Sequence, residues 1–183
     1  MKVLLTINNI EKSYGGLTLL RGAQATISDG QKIGVVGRNG AGKSTLFQII
    51  MGKEEADSGS IVRSSGLRLA WLEQEVHYEP GETVAAFLIR KSGAELWLCE
   101  KTAHEFGLSD AMLERPIADL SGGYQMRARL MALLLTEPEL LLMDEPTNYL
   151  DLSTQILLEQ FLRNFSGSYL IISHDREFLI RTC

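Results

Sequence analysis

The sequence predicts an α/β fold with ligands at the carboxyl edge of its strands, an antiparallel β edge and a small helical insert. Three runs carry that prediction. Residues 33–36, Ile-Gly-Val-Val, read as an apolar strand that enters the glycine loop 37–44, GRNGAGKS, and then the helix-forming run 45–50, TLFQII. Residues 140–143 are Leu-Leu-Leu-Met, a continuous apolar stretch of the kind a strand buried on both faces requires, and the run ends on Asp144. Residues 169–173, YLIIS, read as a further strand.

The remaining elements follow in order. Up to residue 33, β-like runs at 3–7 and 23–27 are separated by turns at Tyr14-Gly15-Gly16 and Ser28-Asp29-Gly30, which suggests the antiparallel edge. Residues 56–62 are a turn leading into a strand, and 67–72 are another strand ending near Gln74, so the sheet is expected to continue. Between 82 and 120 the period turns helical, with Val84, Phe87 and Leu88 on one face and a later segment at 96–106 closed by Gly107. Helices are expected at 122–135 and 153–164, on either side of the 140–143 strand.

The loop at 37–44 has the spacing G-x-x-x-x-G-K-[ST] between a strand and a helix, so backbone N–H groups and the positive end of the helix dipole meet at one point. A polyphosphate fits there. The residues assigned to this site are Gly37, Arg38, Asn39, Gly40, Ala41, Gly42, Lys43, Ser44 and Thr45. Gly40 and Gly42 let the backbone curl around phosphate oxygens, Lys43 reaches the β and γ phosphates, and the Ser44 hydroxyl is suited to ligate Mg²⁺. An ordinary glycine turn is the competing reading, and Lys-Ser-Thr in register at the helix start argues against it.

Composition narrows the class. A chain of 183 residues with 45% apolar content suits one domain with a real core. The net charge of −5 offers no basic tail for free nucleic acid, although Arg38, Arg127 and Arg129 are local cations, so a nucleic-acid partner would have to be structured. Cys99 and Cys183 lie far apart without a C-x-x-C, which argues against a disulfide framework or a cysteine metal site and makes the reduced cytoplasm the expected compartment. No stretch approaches the roughly 18 to 20 apolar residues of a spanning helix, so no direct membrane insertion is expected.

Asp144, delivered by a parallel strand to the loop, is the expected Mg²⁺ carboxylate. Glu145, next to it at the strand tip, is placed to polarise an attacking water, with Pro146 stiffening the exit. A solvated strand-end acid is the alternative for Glu145.

Leu120-Ser121-Gly122-Gly123 followed by Tyr124-Gln125 resembles the signature motif of ATP-binding cassette ATPases, the ABC-type nucleotide-binding domains among P-loop NTPases. A serine ahead of two glycines at a helix start makes a second anion-binding corner. In the family, Ser121, Gly122 and Gly123 would close over the γ-phosphate held by the opposite cassette. Tyr124 stands where transporter cassettes usually carry Gln. The resemblance also implies that Tyr14 stacks on adenine, that Gln74 senses Mg²⁺ and the attacking water, and that His174 hydrogen-bonds the γ-phosphate. A turn tyrosine and a solvated loop glutamine are the alternatives for Tyr14 and Gln74. His77 and His104 have no comparable setting and read as surface residues.

Residues 144–151, DEPTNYLD, with 173–179, SHDREFL, are similar to the ABC-F class, and the resemblance covers nearly the whole chain as one domain over 1–183. It implies an ATPase core at 1–75 and 121–183 with a shortened helical subdomain at about 76–120. The class also implies ATP and Mg²⁺ as cofactors, a second cassette in a head-to-tail sandwich, and ATP-controlled binding to the ribosome in translation. Asp151 would lie at the seam of that sandwich as the D-loop residue, while a helix N-cap role for it is equally compatible. The chain departs from the class in holding one cassette, without a charged linker or a long arm between 74 and 120. A first cassette, a trimmed single cassette and a genuine single-cassette protein all fit. An ATPase subunit of a transporter is the alternative function.

Overall fold

A computed structural model describes residues 2–72, 76–148 and 150–183. Its chain divides into two compact units: one of Met1–Trp71, Glu139–Pro146 and Phe165–Cys183, the other of Leu72–Pro138 and Thr147–Asn164.

The first unit begins with a long hairpin, β1 (Val3–Tyr14) and β2 (Leu17–Ser28), each of 12 residues. Gly15 and Gly16 join them with φ of 54° and 84°, the left-handed pair that a two-residue hairpin turn demands. β4 (Ser58–Arg63) pairs antiparallel with the other edge of β1, giving a three-stranded sheet ordered β2-β1-β4. β3 (Lys32–Val35), β5 (Leu69–Leu72), β6 (Leu140–Asp144) and β7 (Ser168–Ile172) form a second sheet ordered β3-β7-β6-β5. The antiparallel strands are therefore a sheet of their own, and β4 and β5, read from the sequence as one continuing sheet, separate. Each is an edge strand of its own sheet: β4 pairs with β1 and is largely exposed, whereas β5 lies beside β6 with Ala70 and Leu72 buried.

β7 runs parallel to both neighbours, and β6 and β7 are buried at every position, as their apolar runs require. Val35 of β3 and Asp144 of β6 both register with Ile172 of β7, so the carboxyl ends of three strands form one row. From the end of β3 the chain turns through residues 36–42 into α1 (Lys43–Met51). Phe47, Ile49 and Ile50 of α1 join Leu4, Leu5, Ile7 and Ile10 of β1 and Leu140, Leu142, Leu170 and Ile172 of the parallel strands in a single core. α7 (Arg176–Thr182) completes the unit, N-capped by Asp175, whose Oδ1 accepts from Phe178 N–H at 3.0 Å.

The second unit is helical: α2 (Val84–Ser92), α3 (Leu96–Glu105), α4 (Asp110–Leu113), a 3₁₀ turn at Ile117–Asp119, α5 (Gly122–Leu134) and α6 (Leu152–Asn164). Thr83 caps α2 through Ala86 N–H at 3.2 Å, and Val84, Phe87 and Leu88 are buried as the periodicity predicts. The nearly buried Glu82 is held by Arg90 through two bonds of 2.6 and 2.8 Å. Phe106 meets Phe161 of α6 with ring centres 6.5 Å apart. α5 and α6 fall within this unit. Among the described residues, no helix is long and apolar enough to cross a membrane.

Phe47 is fully buried where α1 meets the core. Phe47→Ala should destabilise the chain by about 3–5 kcal/mol, read as a lower urea midpoint at unchanged slope.

Candidate active site

Residues 36–41 are exposed, and Gly42, at the N-cap of α1, is buried with φ 84° and offers no side-chain cap to the first helical turn. A Cβ on Gly42 would stand 3.1 Å from Leu20 and 3.2 Å from Leu19 of β2, so this glycine is demanded both by its backbone angle and by the strand beneath it. Gly40 has φ 77° but open space around it, so only its angle requires glycine. Lys43 Nζ donates to the Gly37 and Arg38 carbonyls at 2.8 and 3.0 Å, which fixes the ammonium inside the loop's own curve. Ala41 N–H closes the loop onto Arg38 O at 3.2 Å. Asn39 is exposed within the loop, and Ser44 and Thr45 follow Lys43 on the first turn of α1.

Asp144 ends β6 at 5% exposure, and its Oδ1 is buried without a hydrogen-bond partner among the described residues. Burial pushes its carboxyl above the ordinary range and the Glu145 charge adds to the effect, while the Ser44 hydroxyl and the Lys43 ammonium pull it down. An oxygen donor buried and unsatisfied beside a hydroxyl suits a hard divalent cation such as Mg²⁺, which takes one or two protein oxygens and completes its shell with phosphate and water.

Glu145 has φ 46°, an uncommon left-handed angle for a non-glycine residue, held by its N–H donating to Ile172 O at 2.9 Å. Its side chain is 10% exposed; Oε1 lies 2.8 Å from His174 Nδ1, while Oε2 is buried without a partner among the described residues. His174 follows β7 after Ser173 and is exposed. The carboxylate acceptor places a proton on Nδ1 and leaves Nε2 for another partner. The two carboxylates therefore have different neighbours, Asp144 the loop and Glu145 the histidine.

Tyr14 is 46% exposed at the tip of the β1–β2 hairpin, with Lys12 Nζ 5.0 Å from its ring centre. Gln74 lies outside the described residues. His77 and His104 are exposed, the latter 3.2 Å from Asp110. Both cysteines are free.

In the helical unit, Ser121 is the N-cap residue of α5, and its side chain makes no cap bond. Gly122 has open space around it, whereas a Cβ on Gly123 would come within 2.8 Å of Asp151 Oδ2 and Thr154 Oγ1. Asp151 Oδ1 accepts from Thr154 N–H at 2.8 Å and from Ser153 Oγ at 2.7 Å, which makes it the N-cap of α6. Those bonds, first to Ser153 and then to Thr154, hold its carboxyl below the ordinary range. Arg127 ties the same corner together, donating to Phe106 O at 3.2 Å and to Ser153 Oγ at 3.3 Å, with its guanidinium 5.1 Å from the Tyr124 ring centre.

A family model described as ABC transporter matches residues 20–148, a span running from β2 through the glycine loop and the α5 serine to the β6 carboxylates. The chain belongs to that family. It is 37% identical over 182 residues to the ribosome protection protein VmlR of Bacillus subtilis, covering 99% of this chain and 33% of that protein. It is 33% identical over 224 residues to ABC transporter F family member 5 of Arabidopsis thaliana, covering 97% of this chain and 32% of that protein. The chain thus spans about a third of the length of these curated relatives, which mark it as an ABC-F type cassette. An ATP binding subunit of an ABC transporter superimposes with a TM-score of 0.85 at 23% identity, covering 98% of this chain and 83% of that one. ATP hydrolysis is the activity expected of this ABC ATPase domain.

Two residues of the cassette escaped the sequence reading. Lys12 and Glu54 lie 2.6 Å apart beside Tyr14, and the available signal was a lysine on the apolar face of a strand. For the signature glycines the structure separates packing from exposure. Gly123→Ala should lower stability by about 1–3 kcal/mol, as overpacking does, while Gly122→Ala should leave the thermal midpoint within about a degree or two. Thermal unfolding of the two variants checks both.

Proposed function

We propose that this chain is the ATP-binding and ATP-hydrolysing cassette of a cytoplasmic ABC-F protein that acts as a nucleotide-driven switch on the ribosome in translation. The hydrolytic part rests on one observation above all, the Glu145 carboxylate held 2.8 Å from His174 at the tip of β6. The ribosome part rests on likeness to a relative named as a ribosome protection protein. For the alternative, an ATPase subunit of a transporter, the solved transporter subunit supports the shared fold alone.

In this mechanism the loop amides of 37–45 and the Lys43 ammonium hold the β and γ phosphates, and Tyr14 stacks on adenine. Ser44, Asp144 and Gln74 hold Mg²⁺, which supplies positive charge to the phosphates when bound. Glu145 accepts a proton from the attacking water, and its bond to His174 orients the carboxylate. His174 Nε2, free of the bond to Glu145, is the ring nitrogen left to hydrogen-bond the γ-phosphate. Ser121, Gly122 and Gly123 of a second cassette, from another copy or from a further part of a longer protein, close over the same phosphate in a head-to-tail sandwich. Ser121 suits that task because its hydroxyl is not used in capping its own helix. Asp151 stands at the seam while capping α6. Closing the sandwich excludes water and aims fixed donors at the charge that develops, which is the main source of rate in phosphoryl transfer.

Glu145→Gln should retain ATP affinity, lose turnover by about 10²- to 10⁴-fold and dimerise in ATP and Mg²⁺. Size-exclusion chromatography and a phosphate-release assay read the two effects; a monomer hydrolysing at the parent rate removes Glu145 from its role. For the parent, specific activity should rise with protein concentration, and Ser121→Arg should abolish turnover while leaving nucleotide affinity in place. With ATP bound, the Glu145→Gln chain should pellet with ribosomes; pelleting with membrane vesicles instead would favour the transporter reading.

A further inference from the structure

A lysine on the core face of a strand needs an explanation. Alternation along β1 puts Ile10, Lys12 and Tyr14 on one face; Ile10 is buried, Tyr14 is exposed, and Lys12 between them is 8% exposed. An ammonium in that position is costly unless its donors are used. Here Nζ lies 2.6 Å from Glu54 Oε1, donates to the Glu55 carbonyl at 2.7 Å and lies 3.6 Å from Asp57 Oδ1. These partners belong to the segment that leaves the C-terminal end of α1, the helix of the phosphate loop. The backbone on both sides of Lys12 is held by the same segment: Asp57 Oδ2 accepts from Ser13 N–H at 2.8 Å, and Asp57 N–H donates to Glu11 O at 2.9 Å.

The ammonium lies 5.0 Å from the Tyr14 ring centre, within cation–π range. Contact with Lys12 first, and with the Tyr14 hydroxyl second, holds the Glu54 carboxylate below the ordinary range. Strand register locates this cluster relative to the loop. Lys12 is opposite Leu20 and Tyr14 is opposite Leu17, and Leu19 and Leu20 are the residues against which Gly42 packs. Tyr14 therefore stands two residues along β1, across the register shift between Lys12 and Ser13, beyond the row where the hairpin touches the glycine loop.

We propose that Lys12, clamped by Glu54 and Asp57, is the positioning residue for the Tyr14 ring and thereby sets how much the base contributes to nucleotide affinity. The proposal rests on the assignment of Tyr14 as the base platform. An exposed aromatic at a hairpin tip loses side-chain freedom when a planar ligand stacks on it, and a ring already held by a cation on one face loses less. The same residues tie the platform to the far end of the phosphate-loop helix, so the two parts of the nucleotide are met by one braced element.

The discriminating quantity is the ratio of affinities for ATP and for inorganic tripolyphosphate, which offers the phosphates without a base. In titration calorimetry with Mg²⁺, Lys12→Met should weaken ATP binding about tenfold, within the range of a lost stacking contact, and leave tripolyphosphate binding unchanged. Lys12→Arg, which keeps the cation, should retain the parent ratio. Glu54→Gln, which keeps the ammonium but loosens its clamp, should give an intermediate loss. In a Tyr14→Ala background, Lys12→Met should add nothing. The proposal is overturned if Lys12→Met and Glu54→Gln keep the parent ratio while Tyr14→Ala lowers it, or if both ligands weaken equally, which marks damage to the loop. If Tyr14→Ala itself leaves the ratio unchanged, the platform assignment falls and takes the proposal with it.

Discussion

The register of β7 between β3 and β6 is the constraint on which the phosphate-loop unit depends. Val35 and Asp144 share a row only because each pairs with Ile172, and a slip of one residue would turn Asp144 to the opposite face of its strand. The apolar runs do not specify that register by themselves, since β6 and β7 are buried at every position and one apolar residue resembles the next. Backbone bonds at the strand ends continue the ladder in that register. Ser168 N–H donates to Glu139 O at 2.9 Å, Glu139 N–H to Arg68 O at 2.8 Å, and Tyr169 N–H to Gln31 O at 3.0 Å. The Glu139 carboxylate is held in turn by Lys2 at 2.8 Å. At the far end, Glu145 N–H extends the ladder onto Ile172 O, and its left-handed φ turns the chain away immediately after the second carboxylate.

The glycines of the two motifs serve different physical ends, which spacing in a sequence does not separate. Gly42 is wedged against Leu19 and Leu20, so the glycine loop is seated on β2 and not merely permitted by flexible backbone. Gly123 is a packing residue, because its missing Cβ admits Asp151 and Thr154, and through them the N-terminus of α6 is set against the N-terminus of α5. Arg127 fastens that junction to the end of α3 through Phe106 O. Gly122 has open space where a Cβ would stand among the described residues, so packing does not demand a glycine there.

Fold class was legible because its strongest signals are contiguous. A strand, a glycine loop and a helix occupy 33–50 without interruption, and the all-apolar runs ending at 143 and 172 are buried as such runs must be. The division into two sheets was not legible, because strand propensity marks β4 and β5 as strands without saying which partner each meets. Residues 60–62 pair with 6–8 of β1, a contact that local propensity does not encode. The loop at 37–44 and the pair Asp144-Glu145 were readable as a candidate site for the same reason of adjacency. The Lys12–Glu54 contact was not, since its two members are brought together only when α1 has packed under the hairpin. For Asp151, the structure shows the capping bonds directly, and the seam role remains part of the proposed mechanism.

At the tip of β6 the chain buries two neighbouring carboxylates, each with one oxygen lacking a partner among the described residues. An unsatisfied buried acceptor costs about 1–3 kcal/mol, so this corner is destabilising beside four residues of β6 that are wholly apolar and fully buried. The upward shift at Asp144 has the same origin, burial first and the Glu145 charge after it. A cation bound with phosphate would satisfy the orphaned oxygen and favour the ionised form, and by linkage whatever relieves the native state in this way also stabilises it. The same arrangement keeps the two acids from being interchangeable. Asp144 answers to Ser44 and Lys43, and Glu145 to His174, so a charge placed on the loop acts on the first directly and leaves the second oriented by its own bond. Divergent environments for adjacent carboxylates are what the proposed division of labour between a metal ligand and a base draws on, and in this chain the left-handed turn at Glu145 separates the two.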